Sequence, residues 1–320
     1  MSIVPAKPHL VGDIGGTNAR FALAGPDGRI YAEQVLAVAD HPDIVAAITA
    51  YLRPLAEPHP TQAALAMAMP ILGDQVRMTN NERWSFSIEA TRRTLGLERL
   101  VLLNDFTALA LAVPQLRADE SRQVGGGVAV AGEAIGLIGP GTGCGVSGLV
   151  QVGGHWAPLH SEGGHATVAP MSELEWDIAR RLQQRYGHAS WERMLSGPGL
   201  INLYRILAEL AAVSPQELTP EQITARALAG ECPLCVQAVE LFCATLGTAA
   251  ANLAVTLGAL GGVYIGGGIV PRLGAWFERS TFRTRFETKG RFSAYLANIP
   301  TYVITAEHPA LRGAAAALAA

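Results

Sequence analysis

The stretch PHLVGDIGGTNARFALA, residues 8–24, decides the fold. Pro8 to Ile14 is an apolar run. Gly15-Gly16-Thr17 breaks it, and it resumes from Arg20 to Ala24. A turn, Gly25-Pro26-Asp27-Gly28, leads into a third run, Arg29 to Val38. Strand, short glycine turn and strand make a hairpin, whereas a P-loop needs a strand followed by a helix. Glycine lets the backbone turn sharply and approach a ligand, so that successive N–H groups can surround phosphate oxygens. The segment Gly12-Asp13-Ile14-Gly15-Gly16-Thr17-Asn18 therefore reads as a phosphate loop. Thr17 adds a hydroxyl donor, and Asp13 adds a carboxylate suited to Mg2+ through water.

Two later segments repeat the theme: Gly139-Pro140-Gly141-Thr142-Gly143-Cys144-Gly145, with its own threonine hydroxyl, and Gly266-Gly267-Gly268. Any one alone reads as an ordinary turn. Three at strand ends, with Asp and Thr built in, point to a nucleotide. The second also contains G-x-G-x-x-G, from Gly143 to Gly148. A dinucleotide fold requires a helix to follow, and LVQVGGHWAPLH reads as strand.

Outward from these loops the chain alternates strand and helix. Asp43–Leu52, Ile88–Leu95 and FTALALAV read as helices; Ala63–Met69 and Leu100–Leu103 read as buried strands. Val113–Gly127 marks a lobe boundary. Beyond it, Gly127–Ala131, Ala134–Gly139, Leu149–Val152, Trp156–His160, Val263–Ile265 and Tyr302–Thr305 read as strands. Ser172–Tyr186, Gly199–Leu210, Pro220–Leu228, Cys235–Leu257 and Ala310–Leu318 read as helices. Both halves open with glycine-punctuated hairpins and close with helices, a weak internal duplication of two α/β lobes around a cleft.

Composition narrows the classes. The chain has 320 residues, 49% apolar and 16% charged, with a net charge of −3. Global disorder is excluded, and no basic face is available for nucleic acid. Lys7 and Lys289 are the only lysines, and neither has the context of a Walker A motif. The four cysteines are too sparse for a disulfide framework. The amino-terminal stretch lacks the apolar core of a signal peptide. From Leu241 to Gly274 only Arg272 is charged, but Asn252, threonines and glycines favour a buried helix and strand over a membrane span. A cytoplasmic location is expected.

Three further clusters carry chemistry. Asn104-Asp105 ends a buried strand; Asp105 could accept a hydroxyl proton, or either residue could cap the following helix. Ser161-Glu162-Gly163-Gly164-His165 could bring a carboxylate and an imidazole to one polyol, since Glu accepts and neutral His both donates and accepts. No H-E-x-x-H or paired-cysteine pattern completes a metal site there. Glu192, taken alone, reads as a surface helical glutamate. Cys232-Pro-Leu-Cys235 is a lone C-x-x-C, with buried small cysteines as the plain alternative.

Taken in order, GDIGGTNARFAL, LNDFTALA, GPGTGCGVS, SEGGH, ERMLSGPGLINLYR and GGVYIGGGIVPR resemble the bacterial glucokinases of the hexokinase–actin–chaperone ATPase superfamily. The resemblance runs from about His9 to the carboxyl end. It implies a two-lobed α/β, actin-like/ribonuclease H-like ATPase fold with an interlobe cleft. The small lobe would comprise 1–114 plus 307–320, and the large lobe 115–306. It also implies Asp105 as catalytic base, with Asn80, Asn104, Asp105, Glu162, His165 and Glu192 around D-glucose. Gly12, Asp13, Ile14, Gly15, Gly16, Thr17 and Asn18, with Gly141, Thr142 and Gly143, would hold the phosphates of ATP. Gly266, Gly267 and Gly268 would form the adenosine edge. Mg2+ is implied near Asp13, through water, and a homodimer is plausible. Two local departures are Cys144 inside the second loop and HSEGGH in place of a Pro-Gly lead-in. Other sugars (mannose, fructose, an amino sugar) would leave the mechanism intact. A sugar-sensing repressor would need a DNA-binding module before Gly12, and a chaperone-like switch would not need SEGGH.

Overall fold

A computed structural model describes residues 7–55, 57–78 and 84–319. Asn80 lies outside the described residues. The chain divides into two compact units. Unit 1 comprises Met1–Leu116, Gly154–His160 and Ala306–Ala320; unit 2 comprises Arg117–Gly153 and Ser161–Thr305.

Unit 1 opens with strands β1 (His9–Ile14), β2 (Asn18–Ala24) and β3 (Ile30–Ala37), then helix α1 (Ile44–Leu52). Strand β4 (Gln62–Met67), the short pair β5 (Gln75–Arg77) and β6 (Ser85–Ser87), helix α2 (Ile88–Thr94), strand β7 (Arg99–Asn104) and helix α3 (Asp105–Ala112) follow. The main sheet runs β3-β2-β1-β4-β7. The first three strands are antiparallel, as the hairpin reading requires, and β4 and β7 run parallel to β1. Parallel strands buried on both faces are continuously apolar, and Ala63–Met67 is fully buried. Asp43 caps α1: its carboxylate accepts from the Ala46 amide. The core gathers Leu10, Ile14, Phe21, Ile48, Tyr51, Leu65 and Trp84. The C-terminal helix, Pro309–Ala319, packs so closely on α3 that a Cβ on Gly313 would stand 1.6 Å from the Ala108 carbonyl oxygen.

Unit 2 repeats the plan with strands β8 (Ser121–Val124), β9 (Ile135–Pro140) and β10 (Cys144–Val152); strand β11 (His155–Leu159) falls in unit 1. Helices α4 (Glu173–Tyr186), α5 (Gly197–Leu210), α6 (Pro220–Leu228) and α7 (Pro233–Leu257) precede strand β12 (Val263–Ile265). Short helices α8 (Ile269–Leu273), α9 (Ala275–Arg279), α10 (Phe282–Glu287) and α11 (Ser293–Ala297) precede strand β13 (Thr301–Ile304). The order β10-β9-β12-β13-β8 again sets an antiparallel hairpin beside parallel strands. β10 follows the G-x-G-x-x-G run as strand, which removes the dinucleotide reading.

The expected strand Gly127–Ala131 is absent. Gly127 has φ +94, and the Val128 and Val130 amides reach two unrelated carbonyls, Asn298 and Leu260, so no ladder forms. The strand of this region lies earlier, at Ser121–Val124, paired with β13. Helix α7 is long and apolar enough to cross a membrane, but 72% of that window is buried in the protein. Gly247 at its middle lets α10 approach: a Cβ there would lie 2.3 Å from the Phe282 carbonyl oxygen.

Candidate active site

In unit 1 three parallel strands end in one row. Ile14 pairs with Met67, and Met67 pairs with Asn104. At about 4.8 Å per strand, the starts of the Gly15–Thr17 loop and of α3 lie roughly 10 Å apart on one sheet edge. Carboxyl ends of strands are where open α/β sheets hold ligands.

Asn104 caps helix α3 with its side chain. Its Oδ1 accepts from the amides of Phe106 (2.9 Å) and Thr107 (3.2 Å), and its Nδ2 donates to the Met69 carbonyl (3.4 Å). Such a cap stabilises a helix by about 1 kcal/mol. Asp105, one residue on, shares one of these amides. It is the half-buried first residue of α3, and its Oδ1 also accepts from the Phe106 amide at 2.8 Å.

The first glycine loop closes on itself, with the Gly15 amide donating to the Asn18 carbonyl at 2.9 Å. Thr17 and Asn18 are exposed; Gly15 and Gly16 are half-buried. Gly12 and Ile14 belong to the core instead. A Cβ on Gly12 would meet Leu65 at 2.7 Å, and Ile14 is fully buried. Asp13 lies opposite Arg20 across the hairpin. Burial raises its carboxyl above the usual 3.8, opposed by the charges of Arg20 and His308. Arg20 in turn pairs with Glu33 at 2.9 Å.

In unit 2 four distant segments build the second loop. The Gly141 amide donates to the Gly143 carbonyl, and the Gly141 carbonyl accepts from the Gly197 amide at the start of α5, both at 2.8 Å. Glu192 Oε2 accepts from the Cys144 amide at 3.0 Å. Glu192 is not a surface helical glutamate: it is half-buried in a tight turn, Trp191–Arg193. Gly164 packs on the same strand, where a Cβ would fall 1.8 Å from the Cys144 carbonyl oxygen. Gly267 has φ +78 and abuts the Pro140 carbonyl oxygen, 2.2 Å from a would-be Cβ. The three glycine segments are thus not equivalent. Gly267 is a packing piece beneath the second loop, while Gly266 donates its amide to Ile138.

Glu162 and His165 flank Gly163 and Gly164 in one turn, closed by the His165 amide donating to the Glu162 carbonyl at 2.9 Å. Both side chains are exposed. The Trp191 amide donates to the Ala166 carbonyl at 3.0 Å, which ties the Glu192 turn to this loop. Glu162, His165, Glu192 and Gly141–Cys144 therefore form one assembly.

Beside it lies a mainly apolar cavity of about 210 Å³, lined by Leu200, Pro220, Thr224, Leu228, Ile269 and Arg272 among others. Ile269 follows the Gly266–Gly268 segment directly, so the cavity adjoins the proposed adenosine edge. The sequence reading missed its α5 and α6 walls; their one local signal was Pro220 at the first turn of α6, beside Gly197.

A family model, Glucokinase, matches residues 10–320. The chain belongs to the glucokinase family. It is 55% identical over 315 residues to a glucokinase of Aromatoleum aromaticum, covering 97% of this chain and 94% of that protein. It is 53% identical to a bifunctional protein of Paraburkholderia xenovorans, covering 98% of this chain and 49% of that protein, so it spans about half of that relative. The crystal structure of a glucokinase from an Antarctic psychrotroph superposes with a TM-score of 0.90 at 37% identity, covering 98% and 99% of the two chains. Family membership rests on the whole chain rather than on any one glycine loop.

Proposed function

We propose that this chain transfers the γ-phosphoryl group of ATP to the 6-hydroxyl of D-glucose, giving glucose 6-phosphate and ADP. Beyond the family match, the observation that carries the reading is the division of labour at residues 104 and 105. Asn104 reaches both the Phe106 and Thr107 amides as the cap of α3, and Asp105 is the base at the sheet edge that also bears the first glycine loop. In this reading Asp105 accepts the 6-hydroxyl proton as the oxygen attacks the γ-phosphorus. Glu162, His165, Glu192 and Asn104 orient the sugar. Asn80 belongs to the same proposal.

The amides and hydroxyls of Gly15–Thr17 and Gly141–Gly143 receive phosphate oxygens, and the apolar cavity beside Ile269 takes the base. Asp13 fits Mg2+ held through water: it is one carboxylate beside a hairpin loop, and no cluster of three or more acidic, His or Cys ligands occurs among the described residues. The ion would neutralise phosphate charge. The fold is of the actin-like/ribonuclease H-like ATPase type, with small and large lobes as the sequence implies. A cytoplasmic place at the head of glycolysis and a homodimer complete the reading.

The test is ADP release with Mg-ATP across a sugar panel, against a sugar-free blank. Glucose-dependent turnover above a low blank is expected. Turnover with another hexose alone would move the pocket assignment. Sugar binding without turnover would overturn the role of Asp105.

A further inference from the structure

The C-x-x-C pair lies outside the phosphoryl-transfer machinery. Cys232 is the N-cap residue of the 25-residue helix α7, and Cys235 is its third residue. That spacing puts both thiols on the same side of the helix start, as in a capping box. Cys232 is half-exposed, while Cys235 is fully buried. Arg226, at the end of α6, stands close enough for its charge to act on both.

We propose that Cys232 and Cys235 form a redox-active dithiol, with Cys232 as the attacking sulfur and Cys235 as the resolving one. The oxidant is a low-molecular-weight disulfide. The Cys232 thiolate attacks one of its sulfurs; a mixed disulfide forms, the reagent S–S bond breaks, and one thiolate leaves. Cys235 then gives up its proton and attacks the Cys232 sulfur. The intrachain S–S bond forms, the mixed disulfide breaks, and the second small thiolate leaves and is protonated. The protein pair loses two electrons, and one reagent molecule is reduced to two thiols.

The surroundings support this division. Burial alone would push the Cys232 thiol up. The Cys235 thiol, the amides of Cys235 and Leu234 and the Arg226 charge outweigh it, and the thiol ends below its ordinary 9.0. Cys232 is partly exposed, which lets an incoming disulfide reach its sulfur. Burial and then the neighbouring Cys232 thiol hold Cys235 up at about 12. The other two thiols are buried and inert: burial, with Glu192 or Glu240 adding to it, takes Cys144 and Cys243 to about 12. In a reducing compartment, a C-x-x-C with one accessible low thiol is a reversible couple and not a permanent staple.

The test treats the full chain with oxidised glutathione, quenches with acid, alkylates, and reads intact and peptide masses. Two of the four free thiols should disappear as one Cys232–Cys235 bond, two hydrogens lighter and reversed by dithiothreitol. Cys235→Ser should instead accumulate a stable glutathione adduct on Cys232, and Cys232→Ser should take none on Cys235. Under limiting iodoacetamide, Cys232 should react at least about tenfold faster than the other three thiols. Four free thiols after treatment of the wild-type chain would overturn the proposal. A persistent wild-type adduct, or a bond involving Cys243, would overturn it equally.

Discussion

The two glycine hairpins look alike in sequence and are built differently. The first, Gly12–Asn18, is held within one sheet: Gly15 bonds Asn18, the Val38 amide just past β3 bonds the Thr17 carbonyl, and its strand glycine, Gly12, packs on Leu65 of β4. The second, Gly139–Gly145, also closes on itself, through Gly141 and Gly143, but it is braced from four further segments. Gly197 binds its Gly141 carbonyl, Glu192 binds its Cys144 amide, and Gly164 and Gly267 press their backbones onto its flanks. A loop held within one sheet forms when the first three strands of that sheet form. A loop held by four segments forms only when the whole unit has packed.

The largest effect should fall outside both hairpins. Asp105→Asn should lower kcat by about 10²–10⁴ with the melting temperature unchanged, because Asn104 keeps the cap. Steady-state kinetics and calorimetry on the same sample decide it; a nearly active variant would remove Asp105 as base. Next, the braces of the second loop should be harder to alter than the first loop. Gly164→Ala and Gly267→Ala force a Cβ into backbone carbonyls and should each cost about 3 kcal/mol or more in denaturant unfolding. Gly15→Ala has no atom nearer than 3.4 Å and should cost under about 0.5 kcal/mol. Equal costs would erase the contrast between the loops.

Glu192 sharpens the same contrast kinetically. Glu192→Ala frees the Cys144 amide and should raise KM for both ATP and glucose by about tenfold, as loss of a charge-assisted hydrogen bond implies. Glu162→Gln, with no bond to the loop, should raise KM for glucose alone. Matched effects from the two variants would separate Glu192 from the loop. The smallest effect concerns Asp13. Its carboxyl is raised by burial, so its ionised form opposes folding above the folded-state value. Asp13→Asn should therefore raise the melting temperature at neutral pH by about 1–2 °C. The gain should shrink as pH falls through the folded-state value and vanish below the ordinary 3.8. A gain that persists in acid would assign the effect to something other than ionisation.

Much of this was legible from the residues. Strand Val263–Ile265 and helix Pro220–Leu228 were read at their observed bounds, since a Gly-bounded apolar run and a Thr-Pro-Glu-Gln start are local signals. Thr219 indeed forms a reciprocal cap with Gln222. Helices α8 to α11 were missed, because segments of five or six residues carry no period to detect. Gly127–Ala131 misled because alternating Gly, Val and Ala imitate a strand wherever partners are out of view. Glu192 misled for the same reason, since its burial and its bond to Cys144 depend on a segment 48 residues away.

The sequence by itself determined the hairpins, the alternation of strand and helix, and the residue types able to hold phosphate and polyol. These follow from backbone freedom and hydrophobic period, which act over a few neighbouring residues. Only the tertiary structure decided what each candidate does. Packing sent Gly12 and Ile14 into the core, made Asn104 the cap and left Asp105 at the helix start. It turned Gly164 and Gly267 into braces and put two thiols together at the head of the longest helix. Burial and hydrogen-bond satisfaction are properties of the assembled chain, because a polar group's role depends on which partners the fold brings within about 3 Å.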